Sequence, residues 1–436
     1  MTPLLAPHRR SRHAARLVCA LAALGLLALL APAGVWAAQL RGVQLLGLRP
    51  DTTASQVDTQ LDIARRIGAR TVRVEASWAD IEPQSKGRPD QRYLGLVDHF
   101  VSGAAARGIR IVMVVDGTPC WASSAPEGVR NGCGGAQQAQ SVSYPPSDPA
   151  DYAAIAGFLA GRYAGRLAAF EVWNEPDHYN EYYFRGPDKP QRYAAILRAA
   201  YPAIKSADAS LPVLAGSLVG ADGRFLRALY AQGIQGSYDG LAIHYYTSVL
   251  ASIRAIRQTQ SQAHDSKPLW LTEFGWSSCL PHATQGGQIC VDAAHQGIDL
   301  ADVFSALRNT SYVRAAIIYN LQDDSQYNFG LVRPNLVPKP AFNTVSTLLH
   351  RGPGPVRPIS LRLRRSGGRV LASISGPAGD ALELQGFRGR RFVGSLVIGL
   401  DRYNRFTHAL PGAWGTRGLR VRVYQYWSGV SATRRI

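Results

Sequence analysis

Residues 168–177 read AAFEVWNEPD: an apolar run from Ala168 that closes on Trp173, Asn174 and Glu175 before a proline. A short apolar run of this kind, bounded by turn residues, reads as a buried strand, Ala168–Glu175. A helical pattern follows at Gln191–Ser206, and then a second apolar run, Pro212–Val219, which completes a βαβ unit. The unit repeats in both directions. Further strand-like runs lie at Gly42–Leu46, Thr71–Glu75, Ile109–Asp116, Gly240–Tyr246, Leu269–Glu273 and Ala315–Leu321. Amphipathic stretches separate them at Ser55–Ile67, Tyr93–Ala106, Pro149–Tyr163, Arg224–Ala231, Leu250–His264, Ala293–Leu307 and Ala341–Leu349. Eight such units in about 310 residues predict an α/β fold, a (β/α)8 TIM barrel. A doubly wound open sheet is the alternative. It would carry a glycine-rich phosphate turn after the first strand, where Leu46-Gly47-Leu48-Arg49-Pro50 stands instead.

In a barrel the chemistry sits on the C-terminal strand ends and the loops beyond them. Two carboxylates stand out there, Glu175 after strand four and Glu273 after strand seven. They are 98 residues apart, 273 minus 175, or three βα units of about 33 residues. Glycoside hydrolysis with retention needs such a pair, one proton donor and one nucleophile. Trp173 and Trp276 beside them offer apolar walls. Arg73 and Tyr246 are candidate donors to the nucleophile, and Arg73 could equally pair with Glu75 on the same face. His244 shares a face with Tyr246 and either lines the pocket or is a buried structural histidine. Trp78, Trp121, Trp276 and Tyr245 follow strand ends and could stack on sugar rings. Asp116, Asn320 and Gln322 could bond ring hydroxyls.

The segment Phe170-Glu171-Val172-Trp173-Asn174-Glu175-Pro176-Asp177 resembles the signature of glycoside hydrolase family 39, in the clan of barrel glycosidases with catalytic Glu residues on strands four and seven. Leu271-Thr272-Glu273-Phe274-Gly275-Trp276 resembles the nucleophile strand. The family pattern begins with a Trp where this chain has Ala168, a departure at the wall of the site. The resemblance implies Glu175 as acid/base, Glu273 as nucleophile and Asn174 as the residue holding the sugar 2-hydroxyl. It also implies a β-sandwich accessory domain, and within the family the chain is most similar to bacterial exopolysaccharide glycosidases.

The chain has 436 residues, 46% of them hydrophobic and 18% charged, which excludes a disordered protein. Its formal charge of +18 suggests a polyanionic partner until the charge is located. Residues 1–37 hold Arg9, Arg10, Arg12 and Arg16 without an acid, +4; from Pro355 onward fifteen Arg face Asp380, Glu383 and Asp401, +12. The middle keeps 18 − 4 − 12 = +2. Basic residues, an apolar run from Leu17 to Ala31 and Val35-Trp36-Ala37 make residues 1–37 a secretory signal peptide. An uncleaved anchor is the alternative, although the run is shorter than the ~20 residues a span needs.

Residues 38–353 are then the barrel. After Arg351-Gly352-Pro353-Gly354-Pro355 a period-two alternation begins, at Ile359–Arg364, Val370–Ile374 and Leu419–Tyr424. Residues 354–436 therefore read as an antiparallel β-sandwich with its Arg residues outward. Cys120, Cys133, Cys279 and Cys290 remain after the leader, and disulfides 120–133 and 279–290 are favoured over zinc, for which no ligand spacing exists.

The expected activity is that of a periplasmic or secreted retaining β-glycosidase, without cofactor or metal, acting within a polysaccharide as a monomer. The alternatives are an exo-acting β-xylosidase-like enzyme and a non-catalytic polysaccharide-binding or export accessory protein. The Arg-rich sheet is expected to face an anionic glycan or a membrane surface. Nucleic-acid binding is not expected, since no helix-turn-helix or RNP-type motif is present.

Overall fold

The computed structural model describes residues 39–130, 141–246, 248–285, 288–427, 429 and 431–436. Residues 1–37, expected to be a signal peptide, and Cys133 of the expected 120–133 disulfide lie outside the described residues. Residues 39–436 form one compact unit. Among the described residues no helix is long and apolar enough to cross a membrane.

Eight parallel strands close a barrel: β1 (Leu40–Gln44), β2 (Thr71–Ser77), β3 (Arg110–Asp116), β4 (Leu167–Val172), β5 (Val213–Leu218), β6 (Gly240–His244), β7 (Leu269–Phe274) and β8 (Val313–Ile318), with β1 bonded to β8. The helices that follow them are α1 (Ala54–Arg66), α2 (Gln91–Ala106), α3 (Pro149–Arg162), α4 (Lys189–Ala207), α5 (Arg224–Ala231), α6 (Val249–Gln262), α7 (Ala293–Leu307) and α8 (Pro340–Arg351). Several starts are written in the sequence. Thr53 and Gln56 form a reciprocal capping box on α1, and Asp292 accepts from the Ala294 and His295 amides of α7.

Two apolar layers follow from the strand period. The larger lies between the strands and the helices. The smaller fills the barrel itself with Leu40, Val112, Ala169, Leu214, Ala242, Trp270, Ala315 and Ile317. Side chains alternate across a strand, so Gln44, Arg73, Glu171, His244 and Thr272 point into the same interior, toward the mouth. The barrel floor is thus apolar and its upper layer polar.

Strand four is shorter than the sequence suggests. It ends at Val172, so Trp173, Asn174 and Glu175 belong to the loop, where Trp173 and Glu175 adopt positive φ of 70° and 42°. These left-handed residues cost on the order of 1–2 kcal/mol each. They turn the chain so that Asn174 and Glu175 enter the mouth.

Beyond α8 two antiparallel sheets face each other. One orders β9 (Ser360–Ser366), β10 (Arg369–Ser375) and β13 (Arg405–Ala409). The other orders β12 (Arg391–Ile398), β11 (Leu382–Arg388), β14 (Leu419–Gln425) and β15 (Ser431–Arg435). Leu361, Val370, Ala372 and Ile374 of the first pack on Leu382, Leu384, Leu419, Val421 and Val423 of the second, which makes a sandwich. Arg362, Arg364, Arg434 and Arg435 are exposed, and Arg420 and Arg422 half-buried over Phe387 and Tyr424. The sandwich grips two barrel helices. Asp302 of α7 accepts from Arg357 at 2.6 and 2.5 Å and from the Ala378 amide at 2.8 Å. Asn404 donates to Asp299, Arg254 of α6 to Asp380, and the Trp427 ring to the Ala306 carbonyl.

Candidate active site

Arg73 is fully buried, and each of its guanidinium hydrogens has an acceptor. Nε and Nη2 reach the two oxygens of Glu171 at 3.1 Å each; Nη2 also donates to Asn174 Oδ1 at 2.8 Å. Nη1 donates to Gln44 Oε1 at 2.6 Å and to Glu273 Oε1 at 2.5 Å. Glu75 is only a looser partner at 3.7 Å, so of the two expected partners Glu273 is the closer. The Tyr246 hydroxyl donates to the other Glu273 oxygen.

Strict alternation would turn Glu273 out of the barrel, because Thr272 points in. The register shows how it enters. Ile243 pairs with Leu271 but His244 with Glu273, and Ala316 pairs with Leu271 but Ile318 with Phe274. Strand β7 therefore carries one extra residue against both neighbours, a bulge that re-aims its side chains. Gly275 permits the close approach that follows, since a Cβ there would lie 2.3 Å from the Tyr319 carbonyl oxygen.

His244 lies between the two carboxylates. Its Nδ1 is 2.7 Å from Glu175 Oε1 and 3.4 Å from Glu273 Oε2. One oxygen of each glutamate and one His244 nitrogen all fall within 4.8 Å of one another. A metal ion could span that spacing. The guanidinium at Glu273 already supplies the positive charge, however, and would repel a second cation. The tautomer of His244 follows from its neighbours. The Thr272 hydroxyl donates to Glu171 Oε1 at 3.3 Å, so its oxygen accepts from His244 Nε2 at 3.1 Å. Nδ1 is then the acceptor that faces Glu175. Burial, then the charge of Arg73 and of His178, holds the imidazole well below its usual value, hence neutral.

Burial and then the charge of Glu273 push Glu175 well above the ordinary carboxyl range. Glu273 is also raised, to about 7, by burial and by Glu75 and Glu171, with Arg73 and Tyr246 pulling the other way. The nucleophile candidate is therefore less acidic than expected, but the first proton of the pair resides on Glu175. Asp116, half-buried nearby, is pushed up to about 8 by burial and by Glu75.

Asn174 accepts from Arg73 and from Ser217 through Oδ1, which leaves its Nδ2 hydrogens without a partner among the described residues. Asn320 Oδ1 is buried and likewise unpartnered at the end of β8. The tryptophans depart from expectation. Trp78 is fully buried, with Nε1 bonded to Glu82 and rings of Trp121 and Tyr152 against it. Trp173 is fully buried between Tyr152 and Phe184, so it is core rather than cleft wall. Both follow a strand end, but the positive φ at Trp173 and the short helix Trp78–Ile81 turn them into the core. Trp121 donates to the Glu82 carbonyl and, like Trp276, packs partly buried on the barrel core. Tyr245 is buried, not open to a sugar. Gln322 bonds the Pro334 carbonyl. Cys279 and Cys290 form a disulfide beyond β7. Residues that the sequence reading did not single out are Glu171, Thr272, Gln44, Ser217 and His178.

Residues 169–333 match the family model of the glycosyl hydrolase catalytic core, a segment that runs from β4 through β8 and holds both Glu175 and Glu273. Over these residues the chain resembles the glycoside hydrolase catalytic core. The fold is similar to that of a family 39 glycoside hydrolase from Bacteroides cellulosilyticus WH2, with TM-score 0.55 and 16% identity over 85% of this chain and 81% of that one. It is also similar to a family 39 enzyme from Xanthomonas axonopodis pv. citri, with TM-score 0.55 and 14% identity over 86% and 91%. A family 39 β-xylosidase from Caulobacter crescentus gives 0.52 and 18% over 86% and 93%. No curated protein matches the chain.

The substitution Arg73→Gln would leave Glu171 and Glu273 buried without an opposite charge, a loss of about 3–5 kcal/mol in folding stability at pH 8. Glu273, already at about 7 against its ordinary 4.5, would move higher. A folded state that binds more protons than the unfolded one loses stability as pH rises through that window. The deficit should therefore shrink toward pH 5, as read by urea unfolding at both values; an equal deficit would contradict this account.

Proposed function

We propose that the protein is a retaining β-glycosidase, with Glu175 as acid/base and Glu273 as nucleophile. The observation that carries this reading is the pair of carboxylates within 4.8 Å, one bonded by Arg73 and Tyr246, the other facing the bare nitrogen of a neutral histidine. Retaining enzymes hold their carboxyl groups about 5–5.5 Å apart, while inverting ones need room for a water, about 6.5–9.5 Å.

In the first step Glu273 attacks the anomeric carbon as Glu175 gives its proton to the glycosidic oxygen, so the bond to the leaving sugar breaks and a glycosyl-enzyme ester forms. As Glu273 becomes neutral, Glu175 becomes a carboxylate and the repulsion between them is relieved. Glu175 then takes a proton from the water that opens the ester. Asn174 Nδ2 donates to the 2-hydroxyl, a bond that strengthens as charge develops on the ring.

The further reading is of an exported enzyme, with residues 1–37 as a leader, 38–353 as the catalytic barrel and 354–436 as an accessory module. We take its substrate to be a bacterial extracellular polysaccharide cut internally, as in exopolysaccharide glycosidases of the PslG type, and its working form to be a monomer. The outward Arg residues of the sandwich suit an anionic glycan or membrane surface.

Proton NMR of the first product should show the β-anomer before mutarotation; an α-anomer would overturn retention. Glu273→Gln should abolish turnover. Glu175→Gln should slow poor leaving groups by roughly 10²–10⁴-fold and activated aryl glycosides far less.

Thr272→Val would free His244 to carry its proton on Nδ1 and donate to Glu175, favouring the carboxylate. Glu273, Asp177, Arg73, Glu75 and His178 also act on that group and are unchanged by the substitution. The basic limb of the kcat/KM profile should then move to lower pH by roughly one unit, whereas Thr272→Ser should restore it. A limb that does not move would refute the tautomer assignment.

A further inference from the structure

The two oxygens of Glu175 face different surroundings. Oε1 turns inward to His244, which also approaches Glu273. Oε2 turns the other way, 3.7 Å from His178 Nε2. On the glycosidase reading a sugar bonded to Glu273 lies on the inward side, and Oε2, the oxygen that His244 does not engage, meets the glycosidic oxygen once the carboxyl proton passes to it, so whatever His178 belongs to lines the path of the leaving group.

His178 belongs to an aromatic cluster in the loop between Glu175 and α4. Its ring stacks on Tyr179 with centroids 4.7 Å apart and planes at 23°; Tyr182 and Tyr183 stand 6.3 Å away at 48° and 78°. Tyr179 and Tyr182 are 89% and 67% exposed, far more than core packing requires of such rings. The Tyr183 ring stands in the same cluster, and its hydroxyl is shifted upward by burial and then by Glu75, Glu175 and Glu273.

The exposure does not come from a slack loop. Trp173 Nε1 bonds the Tyr183 carbonyl at 2.8 Å and Ser143 Oγ the Tyr182 carbonyl at 2.6 Å. The Arg185 amide returns to the Ser143 carbonyl at 2.8 Å, and Lys189 pairs with Glu181 at 3.3 Å. The Asn180 amide donates to His178 Nδ1 at 3.3 Å, which places the ring hydrogen on Nε2, toward Glu175. A 3.7 Å gap is too long for a hydrogen bond but short enough for one oxygen to contact both atoms.

We propose that Tyr179 and Tyr182, together with His178, form a subsite for the leaving side of the substrate, taking a pyranose ring of a β-linked oligosaccharide against the tyrosine faces with His178 Nε2–H donating to its oxygen. The subsite rests on the glycosidase reading above. It gives that reading a direction, because a chain held on the leaving side is cut internally or from an end with further units attached.

The test compares substrates that do and do not fill this subsite. A panel of β-glucosyl, β-galactosyl, β-mannosyl and β-xylosyl fluorides has a leaving group too small to reach it; the β-linked tetrasaccharide of the preferred sugar fills it. Tyr179→Ala and Tyr182→Ala in the full chain should lower kcat/KM on the tetrasaccharide roughly tenfold more than on the fluoride, with Tyr179→Phe close to wild type. Equal losses on both substrates, or none on either, would overturn the subsite while leaving the glycosidase standing. Wild-type inactivity on every fluoride and tetrasaccharide would overturn the glycosidase and the subsite with it.

Discussion

A single buried cation holds the polar end of this barrel together. Arg73 has five N–H hydrogens in a rigid fork, and Gln44, Glu171, Asn174 and Glu273 accept them all from β1, β4 and its loop, and β7. Burying a guanidinium costs several kcal/mol, recovered only when every hydrogen is bonded and an opposite charge lies close. Both conditions are met. The same bonds fix Glu273 and Asn174 in place. Burial opposes the charge on Arg73, but Glu171 and Glu273 outweigh it and hold the group protonated.

One cation cannot balance the carboxylates around it. Glu75, Asp116, Glu171, Glu175 and Glu273 share the mouth, and four of them are raised above their ordinary values. The proton on Glu175 is thus a property of the whole layer. It is placed on that residue by the geometry of β7: the bulge presents Glu273 to Arg73 and Tyr246, while the Glu175 carboxyl is within hydrogen-bond distance of the lone pair of His244. The two carboxyl groups differ because their nearest hydrogen-bonding groups do.

The barrel was readable because its strands are short apolar runs separated by capped amphipathic helices, and period alone reports that. Glu175 and Glu273 were readable because polar side chains at strand ends are conspicuous against such runs. Glu171 and Thr272 were within reach of the same rule. They stand two residues beyond the interior Ala169 and Trp270, so alternation places them inward. The bulge in β7 was not, because one extra residue leaves no mark on the period of a six-residue strand. Trp78 and Trp173 show a second limit. Composition cannot tell an aromatic that follows a strand into the cleft from one that the next backbone turn folds into the core.

The positive charge of the whole chain has little to do with this chemistry. The cleft is rich in acids, and Arg362, Arg364, Arg434 and Arg435 of the sandwich are exposed, while its contacts to α6 and α7 are made by Arg254, Asp299, Asp302, Arg357, Asp380 and Asn404. Those two helices follow β6 and β7, the strands that bring His244 and Glu273 to the mouth. A sandwich bonded there steadies one wall of the barrel from behind, through charge pairs, the Trp427 ring and the packing of Tyr403 on His295. The gripping residues are distinct from the exposed Arg362, Arg364, Arg434 and Arg435, so the exposed charge of the sandwich takes no part in holding the wall that carries Glu273.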